Sequence, residues 1–281
     1  TDIDILQRGY AHIVGHEGAG VVVATGPGVD HVKAGDPILL NWAMPCGVCF
    51  QCKRGADSIC QSRKRVSVER RMWKGSSIAA SFHLGTMATH AIVSKEAVVR
   101  TNNTIPPSSA CLLGCGVMTG FGSVVNTAKL EKDSLAVVIG AGGVGLACIQ
   151  GAKYCGAETI VAIDVNPLRL AVAKTFGATH TILASRDDTG LLKTAEDVKL
   201  LLGRAADYAF ECTAVPLLGA APLAMIRNGG TAVAVSGIEQ IVAIDMRLFE
   251  FDKLYVTPLW GQCRPQRDFR RHPALFDVRA D

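Results

Sequence analysis

The stretch from Leu135 to Asp164, LAVVIGAGGVGLACIQGAKYCGAETIVAID, constrains this chain more than any other part of it. Val137 to Ile139 are β-formers that lead into Gly140, Gly142 and Gly145 at G-x-G-x-x-G spacing, Val144 to Tyr154 suits a helix, and Thr159 to Ile163 reads as a second strand closed by Asp164. A strand that turns through glycine into a helix aims unpaired amides at whatever lies over the turn, most often a pyrophosphate. The glycine spacing alone also occurs in ordinary strand-to-helix turns. The strand, the helix and the acid at the right distance together point to a dinucleotide. The expected cofactor-binding residues are Gly140, Gly142, Gly143, Val144, Gly145, Asp164 and Arg169. A carboxylate at the end of the second strand accepts both hydroxyls of a ribose and repels an added phosphate, so NAD is expected over NADP. Arg169 is the neighbour that would let such a phosphate be tolerated. Asp164 or Asn166 also suits the cap of a helix opening at Pro167.

The same alternation continues beyond Asp164. Helices are expected over Pro167–Phe176, Leu191–Leu202 and Pro216–Ile226, with strands at Thr181–Leu183, Tyr208–Cys212 and Thr231–Val235. Right-handed crossovers of this length give a doubly wound parallel sheet covered on both faces. A last strand near Tyr255–Trp260 contains Pro258, which suits an edge. Upstream the pattern differs. His12 to Ala24 reads as a loop running into a buried strand, turns follow at Gly26–Gly28 and Val32–Asp36, and Pro37–Asn41 forms another strand; such spacing suggests a small irregular barrel. Gln61 to Ser81 reads as loop or loosely packed helical turn. Strands resume over Phe82–Val99 around a turn at Ser94–Glu96, Pro106 and Pro107 open a helical stretch through Leu113, and Phe121–Ala128 bridges as a helix into the second domain. The expected domains are 1–115, 116–260 and a tail 261–281 with five arginines and no core of its own.

With 49% apolar residues in 281, the chain can bury a sizeable core. Its longest apolar run, Leu135–Ile149, holds four glycines and is too short to span a bilayer, and no signal pattern opens the chain. These features predict a soluble, cytoplasmic protein with no membrane partner. A net charge of +4 spread along the chain gives no nucleic-acid footprint. The local exception, RKRVSVERRMWK at Arg63–Lys74, is a solvated loop or a patch for a phosphate or acidic partner.

Ten cysteines in a chain this long argue for metal before disulfides. Cys46, Cys49, Cys52 and Cys60 form C-x2-C-x2-C-x7-C, three close thiolates and one after a return arm. Four thiolates leave zinc no open position, so the expected role is structural; an iron-sulfur cluster or free thiols are the alternatives. His16, within GHE, and Cys115, within GCG, suit two ligands of a second, catalytic zinc, with Cys111 the competitor one helical turn away and Glu17 the acid that tunes the metal. A third ligand is missing from this reading.

The ordered pieces GHEGAG at Gly15–Gly20, VKAGD at Val32–Asp36, the cysteine quartet, CLLGCGVMTGFGS at Cys111–Ser123, GAGGVG at Gly140–Gly145 and VAID at Val161–Asp164 resemble the zinc-dependent, medium-chain alcohol dehydrogenase family over nearly the whole chain. GTMATHAIV at Gly85–Val93 and RPQRDF at Arg264–Phe269 look like a bacterial branch of it. The resemblance implies an α/β protein with a partial, β-rich, GroES-like catalytic domain and a doubly wound Rossmann domain. It implies His16 and Cys115 as catalytic-zinc ligands, Glu17 as the neighbouring acid, Thr119 lining the nicotinamide pocket, Cys111 as no ligand, and structural zinc on the quartet. It further implies a homo-oligomer that transfers hydride from a primary alcohol to NAD, giving an aldehyde. Two rivals are a formaldehyde dehydrogenase acting on a glutathione- or mycothiol-type adduct and an inactive, zinc-stabilised nucleotide-binding module. In the family a first catalytic cysteine and a hydroxyl-and-histidine proton relay precede GHE, and the chain returns to its catalytic domain after the sheet. The expectation is therefore a chain truncated at both ends, with doubtful activity. Ala214 replaces the glycine that often follows ECT in the family.

Overall fold

In a computed structural model of the chain, the structure describes residues 12–62, 71–101 and 105–271. Two compact units emerge, one formed up to Cys115 together with the segment from Cys263, the other spanning Gly116–Gln262.

The second unit is a six-stranded parallel sheet in the spatial order His180–Leu183, Thr159–Asp164, Leu135–Ile139, Ala206–Glu211, Ile226–Ala234, Leu254–Val256. Alternate residues of each central strand face opposite layers, which is why the strands are apolar throughout. Ala136, Val138, Ile160, Ala162 and Phe210 pack with Cys148, Ile149 and Ala152 of helix Gly143–Cys155. On the other face, Val137, Ile139, Val161, Ile163 and Ala209 meet Ala195 and Val198 of helix Leu192–Leu202. Helix Gly143–Cys155 ends on Gly156 in the left-handed region, φ 79°, where its amide reaches back to the Ala152 and Lys153 carbonyls. Helix Pro167–Phe176 is capped by Asn166, whose side chain accepts from the Leu168 amide at 2.9 Å.

The expected helix over Pro216–Ile226 is instead a 3-10 turn, Pro216–Leu218, and a short helix, Ala221–Met225, after which Ile226 already begins the strand. Pro222 tolerates only a first-turn place, so it starts a new helix and does not continue the old one. The last strand stops at Val256, before Pro258, and lies at the sheet edge. The bridging helix starts earlier than expected, as Gly116–Gly122, and runs into a π-helical turn, Ser123–Ala128.

The first unit contains a three-stranded antiparallel sheet with Pro37–Leu40 between Gly18–Val21 and Val98–Arg100. Gly18–Val21 is part-exposed, not buried as its apolar run suggests. In the stretch read as loop or helical turn, residues 63–70 lie outside the described residues. The remainder holds a hairpin, Met72–Trp73 with Ser76–Ser77, and a pairing of Ala79–Ala80 with His12–Ile13. Lys74 and Gly75 both take positive φ, 48° and 80°, the geometry of a tight two-residue hairpin turn. Only Val98–Arg100 forms a strand within the Phe82–Val99 region and its end, because Phe82 and His83 turn left-handed at φ 50° and 61°. The segment read as a coreless tail carries helix Pro265–Arg271, and Cys263, Asp268 and Phe269 are buried. Among the described residues no single helix is long and apolar enough to cross a membrane.

Candidate functional site

In the first unit the zinc-like quartet is assembled from a short helix, Phe50–Lys53, and the two loops beside it. The ligand atoms of Cys46, Cys49, Cys52 and Cys60 lie within 4.8 Å of one another. Four sulfurs at a Zn–S distance of about 2.3 Å on a tetrahedron stand about 3.8 Å apart. The Cys46–Cys52 and Cys49–Cys60 sulfur separations are 4.0 and 3.9 Å, so the cradle has the size for that ion. Backbone amides tune the sulfurs. The Cys49 and Cys52 amides donate to Cys46 and Cys49 Sγ at 3.3 and 3.5 Å. Amides of Cys52 and Gln61 hold the Cys49 thiol down at about 6, while burial pushes Cys52 up to about 12. A cation among them removes that remaining proton. Gly55, at φ 78°, is required where it stands, because a Cβ there would lie 2.0 Å from the Arg264 guanidinium packed over it.

His16 and Glu17 sit in a tight glycine frame. Gly15, at φ 94°, would bring a Cβ to 2.6 Å from Thr86 Oγ1, and a Cβ on Gly18 would meet the same threonine at 2.8 Å. The Thr86 and Met87 amides bond back to the Gly15 and Val14 carbonyls at 3.0 Å each, pinning the loop. The His16 ring lies 4.8 Å from Phe82, which lies 5.2 Å from Trp42. Cys115 arrives from behind, since a Cβ on the preceding Gly114 would stand 2.7 Å from the Leu40 carbonyl and 3.7 Å from Glu17 Cα. Two segments that are a hundred residues apart in sequence thus touch backbone to backbone through one glycine. Among the described residues the quartet is nevertheless the one group of three or more His, Cys, Asp or Glu side chains close enough to hold a metal. Cys111 turns to its own helix, its Sγ donating to the Ser108 carbonyl at 3.3 Å.

In the second unit the glycines divide their work. Gly140 has φ 90°, and Gly145 lets the helix approach the strand, since a Cβ there would lie 1.8 Å from the Gly140 carbonyl oxygen. Around Gly142 and Gly143 a Cβ would meet nothing within 4 Å, so the chain at this helix start borders open space. A cavity of about 400 Å³ adjoins them, walled in part by Gly142, Asp164, Arg169, Arg186, Cys212 and Thr213. It lies at the point where the strand order reverses, between Leu135–Ile139 and Ala206–Glu211, the place where open parallel sheets take nucleotides. Asp164 is 7% exposed, its Oδ2 accepts from the Ala141 amide at 2.8 Å and its Oδ1 from the Asn166 amide at 2.9 Å. A carboxylate has about four acceptor positions, so two remain open. Arg169 stands 3.8 Å from Asp164 Oδ2. Val144 lies on the first turn of the glycine-loop helix. Thr119 lies on helix Gly116–Gly122, its carbonyl accepting from Ser123 Oγ at 2.6 Å.

Glycine spacing does not reveal the far wall of the cavity. Glu211, fully buried, accepts from the Thr213 and Ala214 amides at 2.6 and 3.2 Å and from the Ser236 hydroxyl, and so fixes the turn carrying Cys212 and Thr213. The ECT triplet was the available signal for this wall.

An Alcohol dehydrogenase GroES-like domain model matches residues 1–103, and a Zinc-binding dehydrogenase model matches residues 143–275. The chain is 32% identical over 294 residues to Putative alcohol dehydrogenase D of Mycobacterium tuberculosis, covering 99% of this chain and 77% of that protein. It is 31% identical over 266 residues to Alcohol dehydrogenase-like 7 of Arabidopsis thaliana, covering 90% of this chain and 68% of the relative. Benzyl alcohol dehydrogenase from Acinetobacter calcoaceticus superposes with a TM-score of 0.85 at 26% identity, over 98% of this chain and 78% of that one.

Proposed function

From the chain's membership of the medium-chain, zinc-binding alcohol dehydrogenase family, we propose that it serves the oxidation of a primary alcohol to an aldehyde with NAD as hydride acceptor. The observation that carries this reading is the open space around Gly142 and Gly143, whose amides stand at the start of the helix, beside the Asp164 carboxylate. Those amides bind the pyrophosphate at a helix N-terminus, and Asp164 accepts the adenosine ribose hydroxyls with the two positions its backbone partners leave. Arg169 offsets part of the carboxylate charge without displacing its preference for hydroxyls. Thr119 is assigned to the nicotinamide wall, and Val144 to the first turn under the pyrophosphate.

Cys46, Cys49, Cys52 and Cys60 hold a structural zinc. His16 and Cys115 are assigned to a catalytic zinc, and Glu17 tunes that site from beside His16. When bound, that ion supplies a Lewis acid that polarises the substrate oxygen, and the nicotinamide supplies the hydride acceptor. The Phe82 and Trp42 rings beside His16 give the substrate an apolar flank that excludes water.

The test is elemental analysis for zinc after gentle dialysis, paired with NAD reduction by ethanol and benzyl alcohol, each with and without glutathione. One zinc per chain with NADH binding supports the quartet and the cofactor site, and alcohol-dependent NADH formation supports the full reading. Turnover that needs glutathione transfers the substrate assignment to a thiol adduct. No NADH binding by the folded, zinc-loaded chain overturns the cofactor assignment.

A further inference from the structure

Cys148 and Cys212 belong to neither metal constellation and lie side by side. Cys148 is fully buried on helix Gly143–Cys155, the helix whose start carries the glycine loop, and Cys212 follows strand Ala206–Glu211 in the wall of the dinucleotide cavity. Their sulfurs are 3.6 Å apart. The Cys212 backbone is held by its amide to the Ile139 carbonyl at 2.9 Å, and Cys148 Sγ also donates to the Gly120 carbonyl at 3.3 Å. Both thiols are therefore fixed on rigid elements and face each other. The cavity wall is tight on this side, since a Cβ on Gly140 would lie 2.7 Å from Thr213 Cγ2 and 3.2 Å from the Cys212 carbonyl carbon.

We propose that Cys148 and Cys212 are an oxidation site for hydrogen peroxide, at which a reversible disulfide closes the dinucleotide cavity. Cys212 attacks a peroxide oxygen, the O–O bond breaks, and one water leaves with a sulfenic acid formed on Cys212. Cys148 then displaces the sulfenic hydroxyl as a second water, and each thiol has lost its hydrogen. Two thiols and one peroxide give one disulfide and two waters. The second step is fast for the same reason any held pair reacts fast, because the partner is already in contact. The first is slow, since the Cys148 contact and burial raise the Cys212 thiol well above its usual range and keep it protonated. Forming the bond draws the sulfurs from 3.6 Å to about 2.05 Å, which moves the wall that carries Thr213 relative to the glycine loop. Linkage then requires the converse, that a bound dinucleotide disfavours the disulfide.

The proposal assumes the cofactor cavity described above, and its chemical readout does not. The zinc-loaded chain is treated with hydrogen peroxide, unreacted thiols are blocked, and a tryptic digest is read by mass spectrometry. Peptides 133–153 and 205–227 each contain one cysteine, Cys148 and Cys212. The expected result is a disulfide-linked pair of these two peptides, its formation slowed about fivefold or more by saturating NADH, with a tenfold or greater loss of NADH affinity that dithiothreitol reverses. Cys148→Ala is expected to bind NADH like the reduced parent and to keep that affinity after peroxide. Peptides that stay unlinked, or linkage with unchanged NADH affinity, overturns the proposal. A reduced chain that binds no NADH overturns the cofactor reading instead, and the presence or absence of the linked pair then decides the thiol site alone.

Discussion

At the scale of single residues, the acid that the sequence pattern marks and the acids it does not mark differ in what they hold. Asp164 is visible because the glycine motif calls for an acid at the end of the second strand. Asp207 carries no motif, yet it gathers Arg204 at 2.7 Å, Arg227 at 2.5 Å and the Leu135 amide at 2.8 Å, joining three strand ends. Burial alone would raise its carboxyl. Hydrogen bonds from Arg204, Leu135 and Arg227 outweigh that and hold it at about 2. A group depressed on folding contributes stability above its unfolded value, near 4, and loses that contribution as pH falls toward 2. Asp207→Asn is expected to cost about 1–2 kcal/mol at pH 7, after allowance for the half-exposed arginines, and much less at pH 2. Urea unfolding at the two pH values checks it, and an equal cost at both would remove the ion pairs from the account. Ala214 is illegible for another reason. Its φ of 58° is a backbone property that no apolar pattern encodes. An alanine in the left-handed region is strained by about 1 kcal/mol, so Ala214→Gly is expected to be neutral or to stabilise by up to about 1 kcal/mol, against the usual loss for glycine. A drop in melting temperature on this change would show the turn to be unstrained.

At the scale of elements, what the sequence shows best is long and periodic. Helix Pro167–Phe176 falls where its Asn-Pro start and Gly177 end place it, and the first βαβ unit is set by its glycines. The short pieces around Lys74–Gly75 and Phe82–His83 escape, because two- and three-residue pairings follow from local left-handed turns and not from hydrophobic period. The glycine loop shows how one residue type serves opposite needs within an element. Gly145 lies against the Gly140 carbonyl, whereas Gly143 faces open space. Gly145→Ala is expected to force the helix off the strand, costing about 1–3 kcal/mol of stability and most of the NADH affinity. Gly143→Ala adds a methyl where nothing touches it, so stability is expected to hold, or rise by a few tenths of a kcal/mol on helix propensity. Denaturation midpoints of the two variants, measured side by side, separate the roles. Equal destabilisation by both would mean that the loop tolerates neither and that the open face is not open in solution.

At the scale of the whole molecule, the two units draw their stability from different sources. Gly116–Gln262 has a sheet with a buried apolar layer on each face. The other unit rests on a sheet of strands four, four and three residues long beside a lobe whose four thiols are its main internal link. A lobe with so little apolar core would depend on a bound metal in the way small metal-stapled domains do. Stripping zinc with a strong chelator is therefore expected to open the Cys46–Cys60 lobe to protease while a protected fragment spanning Gly116–Gln262 persists. NADH affinity, which the proposed function assigns to the second unit's glycine loop and Asp164, is expected to change less than threefold under the same treatment. Limited proteolysis followed by mass spectrometry, with NADH fluorescence read on the same sample, checks both. Concerted loss of the protected fragment and of NADH binding would show that the zinc lobe supports the entire chain, and that the two units unfold as one cooperative system.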